Sequence, residues 1–156
     1  MRVAINLFIP PSRITCMQIE ENLVTKTITR NSTDPYYASL EFMRRMSGRG
    51  KVVERENSYS TDGPFHRSDV VFDLVQHLDS YTDLKITFYL TGENSTRNSL
   101  RMDIVASFVS RIREHGFYTQ LFAEFYLENV FPIMKKTAED KIKSLVSLSE
   151  AIIQKV

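Results

Sequence analysis

Residues 84–112, LKITFYLTGENSTRNSLRMDIVASFVSRI, carry the pattern on which the predicted fold depends. Residues 84–90 form a compact apolar run rich in β-forming side chains, which is typical of a buried strand. From Leu100 to Ile112, apolar residues recur at three- and four-residue spacing, as they do along one face of a helix. The polar segment 91–99 lies between them, so the stretch predicts a strand, a loop and a helix in that order.

Elements of both kinds flank this stretch. Strands are predicted at residues 2–9, 51–60 (a polar edge strand) and about 117–123, and helices at 35–46, 68–78 and 137–156. The aromatic run 117–126 also fits a helix face, and residues 14–30 carry conflicting signals. Because strands and helices alternate, we predict a single α/β domain over residues 1–156, with three layers and a mixed, largely parallel sheet. The alternative is an α+β fold with a helical C-terminal half.

The composition is ordinary for a globular protein except that glycine is scarce. The chain has 20 Lys+Arg and 19 Asp+Glu, a formal net charge of +1, which excludes general electrostatic attachment to nucleic acid but not a local basic patch. Five glycines in 156 residues leave little material for glycine-rich phosphate loops. One cysteine, Cys16, excludes an intrachain disulfide framework and a cysteine-based zinc cluster.

The N-terminal residues do not resemble a secretory signal. The apolar stretch there is short, contains Asn6 and ends at Pro10 and Pro11. No window approaches the roughly 18 consecutive apolar residues of a membrane span. We therefore expect a soluble, intracellular protein, cytoplasmic by default, with no membrane partner.

The segment 91–99 is the first candidate site, because ligands of parallel α/β sheets collect where strands end and helices begin. Backbone amides at the start of the predicted helix could hold a phosphate or nucleotide there. The residues expected to bind it are Asn94, Ser95, Thr96 and Arg97. These residue types are equally common as turn and helix-capping residues, and no cofactor fingerprint is present, so no cofactor is predicted.

A stripe of metal-ligand residue types lies on the predicted helix near 66–79. Its members fall at offsets of 0, 3, 7 and 11 and would project from one side of a helix: His66, Asp69, Asp73 and His77. Such side chains can share a divalent metal or form an acid–base pair. An amphipathic helix must also place polar residues on its outer face, and this interpretation is favoured, so no metal site is predicted.

A basic patch follows the predicted helix 35–46. Its cations fall within twelve residues that contain one acid, Glu54; they are Arg44, Arg45, Arg49, Lys51 and Arg55. The patch could contact nucleic-acid phosphates or an acidic partner. The same residues are explained by a solvated helix C-terminus, where positive charge is usual. We prefer this explanation to a binding function.

Aromatic residues are concentrated in the C-terminal third. Six of the seventeen lie between Phe117 and Phe131. Most of these side chains would pack in the core. Aromatic side chains beyond those that the core needs predict an oligomer interface, formed by Tyr118, Phe122, Phe125 and Tyr126.

The functional prediction rests on three features of the sequence: the scarcity of glycine, the lack of an acid–base or metal cluster above background, and this aromatic surplus. We predict a non-catalytic interaction or assembly protein that self-associates as a homo-oligomer and binds a macromolecular partner, possible partners including another protein. One alternative is a phosphate- or nucleotide-binding domain, a sensor or small enzyme, that uses residues 91–99. The other is nucleic-acid contact through the basic patch. No catalytic residue is predicted, and an enzyme is the less favoured class.

Overall fold

The strands form one antiparallel sheet in the computed structural model of the protein, which describes residues 4–6, 16–94, 97–113 and 117–156. The strands are β1 (Ala4–Asn6), β2 (Cys16–Asn31), β3 (Lys51–Asp62), β4 (Phe65–His77), β5 (Thr82–Asn94) and β6 (Asn98–Arg113). They lie in the order β1-β2-β6-β5-β4-β3, and every neighbouring pair is antiparallel. The strands from β3 to β6 are consecutive hairpins, and β2 pairs with β6 across the sheet.

The predicted three-layer fold with a largely parallel sheet is therefore wrong. The error lies mainly in two segments, 68–78 and 100–112, which were predicted as helices and, apart from Leu78, belong to β4 and β6. In β4, Val70, Phe72 and Leu74 are fully buried on one face, while Val71 and Val75 are half-buried on the other. Because valines lie on both faces of β4, its apolar residues also recur at three- and four-residue spacing. This spacing obscures the alternation of apolar and polar residues that identifies a strand.

The helices occur in two places along the chain. They are α1 (Pro35–Met46), followed by a 3-10 turn at Ser47–Arg49, then α2 (Phe117–Phe125), a π-helical turn at Tyr126–Val130, and α3 (Phe131–Ile153). The prediction for α1 is confirmed, and Asp34 caps it by accepting a hydrogen bond from the backbone N–H of Tyr37 at 3.0 Å. The strand predicted at 117–123 is wrong, since this segment is helical. None of the helices in the described ranges is long and apolar enough to cross a membrane.

The other elements agree more closely with their sequence patterns. Residues 51–60 form most of β3, which is an edge strand as predicted, and the conflicting segment 14–30 is largely β2. Of the strand predicted at residues 2–9, Ala4–Asn6 is β1 and the rest lies outside the described residues. The C-terminal helix starts at Phe131, six residues earlier than predicted.

The core lies between the sheet and the helices, which cover one of its faces. Phe42 of α1 contacts Phe72 and Phe88 of the sheet, with ring centroids 6.0 and 5.2 Å away. Ala138 and Ile142 of α3 are fully buried in the same cluster. The molecule thus has two layers.

Candidate ligand pocket

A small polar pocket lies where the start of α1 meets one end of β3, β4 and β5. It has a volume of about 30 Å³. We call it the His66 pocket; it is lined by Asp34, Pro35, Tyr36, Tyr59, His66, Ser68, Gly92 and Asn94. Antiparallel pairing brings these residues together, because His66 lies opposite Asn94 and Ser68 opposite both Tyr59 and Gly92.

Gly92 makes this close approach possible. A Cβ at position 92 would lie 2.5 Å from the Ser68 Oγ and 2.6 Å from the Pro35 Cβ, which is closer than real side chains pack. The first turn of α1 can therefore rest directly against β5. Its proline needs no amide partner at this position, since the first N–H groups of a helix lack intrahelical acceptors.

Two buried polar atoms in this pocket have no hydrogen-bond partner among the described residues. They are the Nδ1 of His66 and the Oγ of Ser68. Ser68 is only 2% exposed, so its hydroxyl is also withdrawn from bulk water. Buried polar groups are paired in the great majority of native positions because an unpaired one costs about 1–3 kcal/mol. The two atoms are therefore available to a bound molecule.

Aromatic rings form one wall of the pocket. The rings of Tyr36 and Tyr59 are 5.1 Å apart between centroids, and the Tyr59 ring stacks on the imidazole of His66 at 5.8 Å. Tyr36 is fixed by its hydroxyl, which donates to the Asn57 Oδ1 at 3.0 Å. His66 is thus held between the sheet and a stacked ring.

A wider hollow of about 350 Å³ adjoins the His66 pocket and shares His66 and Asn94 with it. We call it the outer hollow; its other lining residues are Ser60, Asp62, Phe65, Arg67 and Glu93. Arg67 is paired with Asp69 through its Nε and Nη2, at 2.9 and 3.3 Å. Hydrogen bonding from Arg67 holds the pKa of Asp69 below its usual range. The cation of this hollow is therefore already neutralised, whereas two of its carboxylates line the open space.

The structure changes the basis for the predicted ligand residues of segment 91–99. The segment is the β5–β6 hairpin, and a strand follows it, so the helix amides invoked for a phosphate are not there. Asn94 lines both cavities, and Arg97 is exposed at the hairpin tip. Ser95 and Thr96 lie outside the described residues.

The residues of the predicted metal stripe lie on two different faces of β4. His66 is on the face that packs towards the helices, whereas Asp69, Asp73 and His77 are on the other face, with successive members four residues and therefore about 13 Å apart. His77 instead contacts Asp83, with 2.5 Å between the Nδ1 and Oδ1 atoms. In the described ranges, no three His, Cys, Asp or Glu side chains are placed to share a metal.

Most cations of the predicted basic patch are paired with acids. Arg44 and Arg45 both bind Glu41, whose pKa is lowered to about 2 by these hydrogen bonds. Arg55 reaches across the open face of the sheet to the buried Asp73, with 2.5 Å between Nε and Oδ2. Lys51 is exposed, and Arg49 lines an open cleft of about 710 Å³ between the 3-10 turn and α3. Pairing of this kind leaves less free positive charge for phosphates.

The four predicted interface residues separate into different environments. Phe122 and Phe125 are exposed on α2, at 39% and 58%. Tyr126 is buried and its hydroxyl donates to the Asp79 Oδ2 at 2.9 Å and also contacts the Thr82 hydroxyl. Burial raises the pKa of Tyr126, and Asp79 raises it further. The side chain of Tyr118 lies outside the described residues.

Two residues of the His66 pocket, His66 and Asn94, belong to candidate sites named from the sequence, and the others do not. Ser68 was placed at the start of a predicted helix, and Tyr36, Tyr59 and Gly92 were placed in a helix, a strand and a loop. One signal could have located Ser68: His66 and Ser68 precede Val70, Phe72 and Leu74 at a period of two. Read as a strand, this pattern places both polar side chains on the buried face.

Neither a protein-family model nor a curated protein matches this chain, so the site is interpreted from its geometry.

Proposed function

We propose that this protein is a small-molecule-binding domain, a sensor or carrier, which holds its ligand in the His66 pocket and the outer hollow. The observation that carries this proposal is the pair of buried atoms without partners, His66 Nδ1 and Ser68 Oγ. A small cavity with convergent polar groups beside a wider hollow is a common form of ligand site. Of the functions predicted from the sequence, this one is closest to the phosphate- or nucleotide-binding alternative. The proposed binding site is now the His66 pocket and the outer hollow, and no longer residues 91–99.

Binding is favoured over catalysis because no activated nucleophile is formed in this pocket. A serine nucleophile needs a base within hydrogen-bond reach. The Ser68 Oγ has no partner among the described residues, so His66 does not serve as its base. The arrangement supports recognition of a polar group and gives no support to acyl or phosphoryl transfer.

The test is a thermal-shift screen with four ligand classes: amines, carboxylates, sugars and nucleotides. We expect one class to stabilise the wild type. Ser68→Ala should reduce that shift, because it removes one of the unpaired acceptors. Ser107→Ala is the matched control, a buried serine on β6 whose hydroxyl already donates to the Lys85 carbonyl at 3.5 Å. If no class stabilises the wild type, or Ser68→Ala keeps the full shift, the proposal is wrong.

Self-association is a second proposal, and exposed apolar side chains on the C-terminal helices and the adjoining β4–β5 turn favour it. We call these the aromatic ridge: Tyr81, Leu121, Phe122, Phe125 and Ile133, each at least 39% exposed. The Tyr81 and Phe122 rings contact each other at 5.3 Å between centroids. Large apolar anchors grouped in this way are typical of protein interfaces.

A second copy of the chain is the partner that fits the ridge by charge. Glu124 and Glu128 precede Ile133, and Lys136 follows it; all three are exposed. Two copies related by a two-fold axis would pair these helices antiparallel and place the acidic end of one opposite the basic end of the other. Among the described residues, no further surface is specific to the macromolecular partner predicted from the sequence, and the paired arginines reduce the support for nucleic acid.

Sedimentation velocity tests this second proposal. We expect a dimer that Phe125→Ser weakens, whereas Tyr37→Ser, at an exposed tyrosine of α1, should leave it intact. Lys136→Glu should also weaken the dimer, and adding Glu124→Lys should restore it. A monomer at every concentration, or a dimer indifferent to Phe125→Ser, would exclude this use of the ridge.

A further inference from the structure

We propose that the ligand is an organic primary amine in its ammonium form, with the charged head in the His66 pocket and the organic body in the outer hollow. This inference rests on the proposed binding function and assigns the chemical class of the ligand.

Size separates the head of the ligand from its body. The His66 pocket, at about 30 Å³, has less than a tenth of the volume of the adjoining hollow, so it is the space for the smaller part of a ligand. The adjoining hollow of about 350 Å³ lies within the range of small-molecule sites. The shared residues His66 and Asn94 place the two spaces side by side. A compact terminal group on a larger body fits this shape.

Each polar side chain around the head position can accept a hydrogen bond. The imidazole of His66 through a ring nitrogen without a proton, the Ser68 Oγ and the carboxamide oxygen of Asn94 each offer lone pairs. The Tyr36 hydroxyl is unavailable as a donor because it bonds to Asn57. A primary ammonium carries three N–H donors and no acceptor, which matches this set.

The charge of the two cavities favours the same class. Their lining contains three carboxylates, those of Asp34, Asp62 and Glu93. Arg67 is the one cation among the lining residues, and Asp69 binds it. An anionic ligand would meet negative charge without a free cation, whereas an ammonium group would be attracted.

Aromatic faces add a third feature that favours a cation. Tyr36 and Tyr59 line the head position, and Phe65 lies at the margin of the outer hollow with more than half of its surface exposed. Ring faces carry partial negative charge and attract ammonium groups within about 6 Å. The same rings offer apolar surface to the carbon atoms beside the amine.

Isothermal titration calorimetry at neutral pH with benzylamine, benzyl alcohol and benzoate separates charge from shape, because the three share a phenyl ring. We expect benzylamine to bind about tenfold more tightly than benzyl alcohol, and benzoate to bind most weakly. Added salt should weaken benzylamine binding and have little effect on the alcohol.

Variants locate the effect in the pocket. Ser68→Ala, Tyr59→Leu and the double change Asp62→Asn with Glu93→Gln should each weaken benzylamine binding several-fold. The matched controls Ser107→Ala, Tyr89→Leu and Glu124→Gln lie elsewhere and should leave it unchanged. Tyr59 is half exposed on an edge strand, so its replacement should not prevent folding.

The outcomes distinguish this inference from the function on which it rests. If benzyl alcohol or benzoate binds as tightly as benzylamine and Ser68→Ala weakens that binding, the ammonium class is wrong and the pocket remains a ligand site. If none of the three compounds binds and no class in the thermal-shift screen stabilises the protein, both proposals fail. Benzylamine binding that all the pocket variants retain would also overturn the assignment.

Discussion

The two ends of the β4–β5 hairpin are built from similar polar and aromatic residues but differ in how those residues are paired. At the turn between the strands, the buried Tyr126 hydroxyl bonds to Asp79 and Thr82, and Asp79 also accepts the backbone N–H of Tyr81 at 2.7 Å. At the opposite end, His66 and Ser68 present buried atoms that no described residue satisfies.

This difference separates a structural network from a candidate binding site. The hydrogen bonds of Tyr126 with Asp79 and Thr82 fix the docking of the π-helical turn on the hairpin. The buried Ser110 hydroxyl, opposite Thr82, is the one group there that has no partner among the described residues. An unpaired cluster destabilises the free protein unless another molecule completes it. Removing a polar side-chain group should therefore change stability in opposite directions at the two ends, and the following experiments test this and the packing around the unpaired end.

Gly92→Ala should give the largest loss of stability, about 2 to 3 kcal/mol, because the new Cβ would press on Ser68 and Pro35. Urea unfolding measures the change. Combining it with Ser68→Ala removes one of the two clashing atoms and should recover part of the loss, so the two effects should not be additive. Additive losses of stability would mean that the Ser68 side chain does not clash with a Cβ at position 92.

Tyr126→Phe should cost about 2 kcal/mol, since it leaves Asp79 and the buried Thr82 hydroxyl without the phenol. The same unfolding experiment applies. Tyr89→Phe is the control, because Tyr89 is substantially exposed and a surface change of this kind has little effect. Equal losses in the two variants would remove the contrast between the paired and the unpaired end.

The same tyrosine predicts a dependence on alkaline pH. Its pKa is raised in the folded protein above the value of about 10 expected in the unfolded chain. The folded state thus favours the protonated phenol, so its contribution to stability is complete below about pH 10 and is lost as the pH rises through the folded pKa. Unfolding free energies measured across this range should fall more steeply for the wild type than for Tyr126→Phe. Parallel curves would contradict the assignment.

Parts of this arrangement could be predicted from the sequence, namely those that depend on local chemistry. Asp34 and Pro35 mark the start of α1, and the β-forming run within 84–90 marks β5. β4 and β6 could not be distinguished from helices, because Val71, Val75, Val105 and Val109 add apolar side chains to the outer face of the sheet. With these strands assigned as helices, the His66 pocket could not be predicted, because its residues are brought together only by antiparallel strand pairing.

The C-terminal helices were also predicted only in part from the sequence. The aromatic run 117–126 fits both periods, and the helix predicted at 137–156 begins after Pro132. In the structure that proline lies in the first turn of α3, where its missing N–H is tolerated. Which aromatic side chains are buried and which are exposed depends on the π-helical turn, and no local pattern in the sequence indicates that turn.

Ser68→Ala should have the smallest effect and the most informative sign. Removing a hydroxyl that lacks a partner relieves its desolvation cost, and the lost packing offsets part of the gain, so stability should rise by up to about 1 kcal/mol. Ser107→Ala, which removes a hydroxyl with a long contact of 3.5 Å to the Lys85 carbonyl, should lower stability slightly. A gain at Ser68 together with weaker ligand binding is the trade-off expected where a residue is kept for function at the expense of stability. A loss at Ser68 as large as that at Ser107 would mean that the hydroxyl is satisfied in the free protein, and the contrast between the two ends would then disappear.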